Sequence, residues 1–576
     1  MAHNKNLQKL ELTWIGKGDE PKLEPRILIE NPEYSYGDPN TENMLIHGDN
    51  LLALKALEQD YAGKVKCIYI DPPYNTGNAF EHYDDNLEHS IWLNLMNQRI
   101  KILHRLLHNE GVFILHLDDQ EVFYAKVLCD EIFGRDKFIT SIAIKSSTPS
   151  GLKTAHRNKT IIKQKDLVLI YKKGNNISIT PQYIARDKWD SHYSKFYNRK
   201  ENKVYDLIDI LLKHNVIDKK ISVKDLDIHN KKFKKFYVEN ADNIFQTQPT
   251  MPEDIKVKSL KEKDTIIKYI DSEGVENYVL NGRRFAFLRN SLNILDTNET
   301  DLGVLLCDFW SDIDFQNTQN EGSNSFPAGK KPEKLINRFL RLFTKEGDVV
   351  LDSFLGSGST AAVAHKLKRK YIGIELGDHA ITHCYPRLRN IIDNKDKSGV
   401  SEIANWQGGG GFKFYTLAPS LLKKDKFGQW IMSDEYNADM LAAAMAKQEG
   451  FKYNPSETQF WKQGNSSEQD FIFTTTQFLT VQQLEAIAED MQAGESLLIC
   501  CKAFQTECKN KFPNITIKKI PQLLLDRCEF GKDDYSLNIV NIPQEDNQED
   551  YDVEEEIEND EEVVDTKENN QKSLFD

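Results

Sequence analysis

Apolar positions along the chain follow two periods, and the switches between them mark its elements. "LLALKALEQ" (51–59) has helical spacing, and "KVKCIYI" (64–70) is a short apolar run rich in strand-forming residues. "HSIWLNLMNQRIKILHRLLH" (89–108) repeats apolar residues every three or four positions. "GVFILHL" (111–117) is a second strand, and Asp119 to Phe133 a further helix. This is βαβ grammar and predicts a parallel sheet. From about 146 to 305 the periodicity lapses into short polar and basic segments with interleaved aromatics, among them Trp189, Tyr193, Tyr197, Phe233 and Tyr237. The grammar then resumes with a helix at 332–343 opened by Pro332, a strand at 348–354, a helix at 360–368 and a strand at 371–376. "GGGG" (408–411) predicts a linker to a small domain with strands at 471–476 and 496–503.

Two strand ends carry candidate chemistry. The first strand runs into Asp71, Pro72, Pro73 and Tyr74. Each proline removes a backbone donor and fixes φ, so the strand must stop there. A strand-terminating turn would account for the prolines alone. A carboxylate, a rigid carbonyl and an aromatic ring together suit the activation of an exocyclic amine. Asp71 can accept one amine hydrogen and the Pro72 carbonyl the other, which favours a tetrahedral nitrogen and stabilises the positive charge it develops on methylation. Tyr74 can stack on a base that has left its duplex. No metal is required.

The second is "VVLDSFLGSGSTAAVAHKL" (349–367), a strand, a glycine-rich turn and a helix. Gly356 and Gly358 permit a tight turn and close approach of a ligand. Asp352 ends this strand, and Glu375 ends the next, where a carboxylate can grip ribose hydroxyls. "GSGSTA" also satisfies a dinucleotide pattern, so an NAD(P)-dependent oxidoreductase stays open at this point.

Charge changes the picture locally. The chain carries −15, but residues 545–565 hold 13 acidic and no basic residues, which leaves 1–544 near neutrality. That tail predicts disorder. Residues 151–250 hold 21 Lys and Arg against 11 Asp and Glu, a concentration suited to nucleic acid or to a solvated lysine-rich face. The eight cysteines show no CxxC pair, no apolar run approaches the ~18 residues of a membrane span, and the first residues lack a secretory core. A cytoplasmic, reduced protein is expected.

"DPPY" (71–74) resembles the catalytic motif of amino-methylating DNA methyltransferases that use S-adenosylmethionine, with the leading Asp of the N6-adenine enzymes. "DSFLGSGST" resembles their cofactor loop, through Phe354, Gly356 and Gly358 beside Asp352. The catalytic motif precedes the loop, with the basic region between them, as in the permuted beta class; that region would then be the target recognition domain. Lys331 and Pro332 match the segment that covers the cofactor's methionine end, and Asp49 in "GDN" the turn that contacts its adenine. Ser353 stands where many relatives have Pro. "LELTWIGK", "KLEPRILIE", "HSIWLNLM" and "FWSDIDF" are similar to the modification (Mod) subunits of type III restriction-modification systems, a resemblance that covers residues 7 to about 530.

The resemblance implies an α/β, Rossmann-like, circularly permuted methyltransferase with a mostly parallel sheet. It divides as an extension (1–44), a catalytic half (45–145), an irregular α+β recognition insertion (146–305), a cofactor half (306–407), a C-terminal α/β domain (408–544) and an acidic tail (545–576). Asp71, Pro72, Pro73 and Tyr74 would be catalytic. Asp49, Lys331, Pro332, Asp352, Phe354, Gly356, Gly358 and Glu375 would hold S-adenosylmethionine. Double-stranded DNA, a second copy and a Res subunit are the implied partners, since no GxxxxGK[ST] loop is present to drive translocation. "QKSLFD" (571–576) is spaced like peptides that dock in the bacterial sliding clamp.

Overall fold

The computed structural model describes residues 11–18, 23–24, 26–73, 89–148, 157–316, 318–323, 326, 329–424, 430–433 and 435–520. These lie in the first of two compact units, Met1–Tyr535. Tyr74, the acidic tail and the clamp-like hexapeptide fall outside the described residues.

An eleven-stranded sheet gathers strands from residues 28–172 and 309–417. Its strands are β1 (Leu28–Glu30), β2 (Tyr36–Gly37), β3 (Met44–His47), β4 (Val65–Ile70), β5 (Leu107–Leu117), β6 (Phe138–Lys145), β7 (Lys165–Lys172), β8 (Phe309–Trp310), β9 (Val349–Asp352), β10 (Lys370–Glu375) and β11 (Gly411–Leu417). The spatial order is β1-β11-β3-β10-β9-β4-β5-β7-β6-β8, with β2 against β11. From β11 to β5 all neighbours are parallel, while β7 runs antiparallel to β5 and β6.

Alternation along β4 explains why its apolar run is continuous. Ile68 and Ile70 face one core with α1 (Asn50–Tyr61), α2 (His89–Leu106) and α3 (Val122–Phe133). Cys67 and Tyr69 face another with α4 (Glu333–Phe343), α5 (Ser359–Lys366) and α6 (Tyr385–Ile392). A strand covered on both faces has no polar side to show. Among the described residues no helix is long and apolar enough to cross a membrane.

Three details depart from the sequence pattern. Lys165–Lys172, within the stretch expected to be irregular, is β7 of the main sheet; its apolar centre is flanked by lysines that mask the signal. The glycine run leads into β11, which pairs with β3, so it does not separate this strand from the main sheet. Phe412 and Phe414, buried on alternate positions, hold β11 there. Pro332 is the N-cap of α4, one position before the helix begins.

Residues 195–287 form a six-stranded antiparallel sheet of their own. Trp189, Tyr193, Phe233 and Tyr237 are buried in a core beside it, so these aromatics serve packing. A further five-stranded sheet spans Lys452–Lys519 and buries Cys500 and Cys501.

Candidate active site

β9 and β4 are adjacent, parallel strands whose connections lead in opposite directions across the sheet, β9 to β10 on one side and β4 to β5 on the other. Such a switch point opens a crevice at the strands' carboxyl ends. Asp352 ends β9, Asp71 follows β4, Glu375 ends β10, and Asp49 follows β3 after Gly48. Four carboxylates from distant parts of the sequence therefore line one edge of the sheet.

The two glycines of the loop differ in their work. Both have positive φ, +55° at Gly356 and +80° at Gly358. Among the described residues a Cβ on Gly356 would meet only the Phe326 ring, at 3.9 Å, which leaves room for a ligand against that face of the loop. A Cβ on Gly358 would press on Cys384 at 3.3 Å, so that glycine serves packing at the start of α5. Phe354 is buried in the core below α1–α3.

Asp352 accepts hydrogen bonds from the Thr360 hydroxyl (2.6 Å) and the Phe354 N–H (3.0 Å). Burial pushes its carboxyl up to about 7; those hydrogen bonds and Lys331 oppose the shift, and the charge of Asp71 adds to it. Glu375 is also pushed up to about 7 by burial, against the pull of backbone N–H groups. One of its oxygens accepts from Gly356 N–H (2.7 Å) and the other from Gly377 N–H (3.1 Å). The ribose-gripping residue expected from sequence thus also fixes the glycine loop.

These shifts carry a sign. In the folded chain both acids keep their protons to about pH 7, whereas their ordinary values are 3.8 and 4.5. Between about pH 4 and 7 the folded state binds more protons, so the stability these groups supply is full at low pH and lost as pH rises through 7. Asp352→Asn removes one titration and can keep both hydrogen bonds, because the Thr360 hydroxyl can accept as well as donate. Its urea midpoint is expected to gain on the parent's between pH 5 and 8. A constant difference would mean that Asp352 does not titrate in this window.

Asp71 pairs with Lys331, which stands just before α4. The residues are 260 apart in sequence, and both side chains are largely enclosed. The Lys331 carbonyl accepts from Ser359 Oγ (2.9 Å), which ties this segment to the first turn of α5. Pro332 then caps α4. Pro72 is buried, and the Pro73 carbonyl accepts from Trp92 Nε1 at 2.9 Å, so a buried tryptophan of α2 stiffens the turn after Asp71.

Several contributors escape the motifs. Asn50 Nδ2 donates to the Ser353 carbonyl (2.7 Å), which joins the turn after β3 to the glycine loop. Arg99 Nε donates to Asn50 Oδ1, and its Nη2 lies 3.6 Å from Asp49. Asp49 also caps α1 through the Leu52 N–H (2.8 Å). A charged residue on the apolar face of the 89–108 helix was the available signal for Arg99. Beneath Asp71, buried Tyr69 meets His116 Nδ1 at 2.9 Å, and His116 Nε2 lies 3.4 Å from Asp166. Burial raises the Asp166 carboxyl, but His116, Lys331 and Lys163 together hold it well below the usual range.

The DNA methylase family, of N6 and N4 type, matches residues 65–386. The probable type III restriction-modification enzyme HindVI Mod subunit of Haemophilus influenzae is 33% identical over 463 residues, 75% of this chain and 61% of that protein. The EcoPI Mod subunit of Escherichia phage P1 is 26% identical over 422 residues, 64% of this chain and 62% of that protein. The chain thus spans about six-tenths of the length of these relatives. A structure from Thermus thermophilus titled a DNA modification methylase, solved with S-adenosyl-L-methionine, overlaps 65% of this chain and 97% of its own at 13% identity and a TM-score of 0.30, a distant likeness. None of these matches supports an oxidoreductase.

Proposed function

The chain belongs to the DNA methylase family, and from that premise we propose that it transfers a methyl group from S-adenosylmethionine to the N6 of an adenine flipped out of double-stranded DNA. It would do so as the modification and recognition subunit of a type III restriction-modification system. The observation that carries this reading is that Asp71 and the Gly356–Gly358 loop follow two adjacent parallel strands at the switch point.

The residues present fit the cofactor. The open face at Gly356 lets a ligand approach the loop backbone. Buried acceptors stand at Asp49, Asp352 and Glu375, suited to amine and hydroxyl donors. Phe354 and Gly358 shape the loop, and the Lys331 carbonyl is tied to its end through Ser359 Oγ, so that Lys331 and Pro332 would cover the cofactor's methionine end. When bound, the cofactor supplies an electrophilic methyl group. The chain's own part is to make the amine a nucleophile. Asp71 and the Pro72 carbonyl would accept the two N6 hydrogens, Pro73 would hold them rigid, and Tyr74 would stack on the base. Acceptors fixed before the reaction stabilise the developing ammonium without reorganising.

The basic region at 151–250 would lie on phosphates, with a Res subunit and a second copy of the chain completing the system in the cytoplasm. Light scattering reads the dimer. Binding of a 571–576 peptide to purified clamp tests that weaker partner. The function itself is tested by incubating the chain with DNA and methyl-labelled S-adenosylmethionine and digesting to nucleosides. Label in N6-methyladenine is expected. Label confined to cytosine, RNA or protein would reject the reading, and so would no label at all.

A further inference from the structure

The helix α2 reaches both turns of the candidate site. Trp92 and Arg99 stand seven positions apart, close to two helical turns, so they share a face and lie about 10 Å apart along the axis. Trp92 Nε1 donates to the Pro73 carbonyl at 2.9 Å, in the turn that follows β4. Arg99 Nε donates to Asn50 Oδ1, and Asn50 Nδ2 donates to the Ser353 carbonyl at 2.7 Å, where β9 enters the glycine loop. The carboxamide has one workable orientation there, because a guanidinium only donates and a carbonyl only accepts. Arg99 Nη1 also donates to the Leu95 carbonyl of its own helix at 3.0 Å, which fixes the guanidinium to α2. All three side chains are buried. Moving either turn would therefore break hydrogen bonds of groups held away from water.

An arginine on the apolar face of α2 is a costly way to fill a core. What the sheet leaves undone explains its place. β4 and β9 pair at Cys67–Val350 and Ile68–Leu351, and both turns lie beyond those pairs. Hydrogen bonds between the two strands therefore do not set the distance from Asp71 to the glycine loop. Methyl transfer depends on that distance, since donor and acceptor must meet in line and a misplacement of about 1 Å can cost about 10²-fold in rate. We propose that α2 is the spacer of the site: Trp92 positions the turn that presents Asp71, Arg99 acting through Asn50 positions the loop that holds the methyl donor, and the helix between them fixes the gap. This rests on the methyltransferase reading. The three side chains act through main-chain carbonyls and are positioning residues.

The test is single-turnover methyl transfer to DNA by the full chain, beside calorimetry with S-adenosylhomocysteine and urea midpoints. Trp92→Phe keeps an aromatic ring and removes the N–H. It is expected to slow transfer at saturating cofactor about 10-fold or more and to leave S-adenosylhomocysteine binding unchanged. Asn50→Asp keeps the acceptor for Arg99 and replaces the donor by an oxygen that repels the Ser353 carbonyl. It is expected to weaken S-adenosylhomocysteine binding about 10-fold or more and to slow transfer as well. A spacer needs both ends, so the double variant should lose less rate than the product of the two single losses. A loss of stability alone would lower the midpoints without dividing binding from rate in this way. Transfer by Trp92→Phe at the parent rate would overturn the proposal. So would single losses that multiply in the double variant, binding by Asn50→Asp as tight as the parent's, or a Trp92→Phe variant that fails to bind S-adenosylhomocysteine. A parent chain that transfers no methyl group to any DNA would instead remove the methyltransferase reading, and the spacer with it.

Discussion

Asp71→Ala is expected to lower methyl transfer to DNA by at least about 10²–10³-fold, the usual cost of removing one preorganised group that stabilises transition-state charge. The substitution deletes the acceptor for one N6–H and the negative charge beside the developing ammonium. It leaves the Gly356–Gly358 loop, Asp352 and Glu375 in place, so the cofactor site should survive. The fold should survive as well, because Asp71 lies beyond the last residue of β4, outside the strand ladder, and the long Lys331 side chain can turn its ammonium toward water. Single-turnover transfer, together with the urea midpoint, separates the two effects. A variant that folds, binds cofactor and transfers at the parent rate would remove Asp71 from the chemistry.

Glu333→Ala should unfold a large part of the chain at moderate urea. Glu333, at the first turn of α4, has a fully enclosed carboxylate that joins three elements. Its Oε1 accepts from Arg387 Nη2 of α6 at 2.8 Å. Its Oε2 accepts from Lys366 Nζ of α5 at 2.8 Å and from the Val400 N–H at 3.0 Å. Lys366 and Arg387 are themselves enclosed, and among the described residues Lys366 keeps Asp396 as its one other carboxylate partner, at 2.7 Å. Removing one member of such a cluster leaves buried charge uncompensated, which costs about 3–5 kcal/mol. That is a large share of the ~5–15 kcal/mol that separates a folded domain from its unfolded chain. The damage would reach the cofactor loop, because Arg387 also donates to the Ser357 carbonyl at 3.0 Å and to Ser359 Oγ at 3.0 Å. Glu333→Gln retains the shape and an acceptor, and should fall between. A urea midpoint within error of the parent's would show that the buried cations find other partners.

What could be read from sequence shares a property: each feature depends on residues a few positions apart. Apolar period placed α2, β4, β9, α5 and β10 to within a few residues, because burial of one face or two is written in neighbouring side chains. The end of β4 at Asp71 was legible because two prolines cannot continue a strand. The turn at Gly356 and Gly358 was legible because few other residues adopt its positive φ. The order of motifs told which half came first. β7 and β11 were missed or misassigned, since lysines hid the apolar centre of one and a glycine run suggested a break before the other.

The tertiary structure alone decided which of these features meet. Nothing local in "IDPPY" indicates that Lys331, 260 residues on, rests against its carboxylate. Nothing in "GDN" indicates that Asn50 holds the Ser353 carbonyl 303 residues away. Nothing in α4 shows that Glu333 gathers cations from α5 and α6. These contacts follow from sheet order, which sets β4 beside β9 and brings the carboxyl ends of strands from both halves to one edge. Period and propensity fix what each segment becomes. Which carboxylate is paired, buried or left for a substrate depends on packing between segments far apart in the chain, and local residue pattern does not encode it.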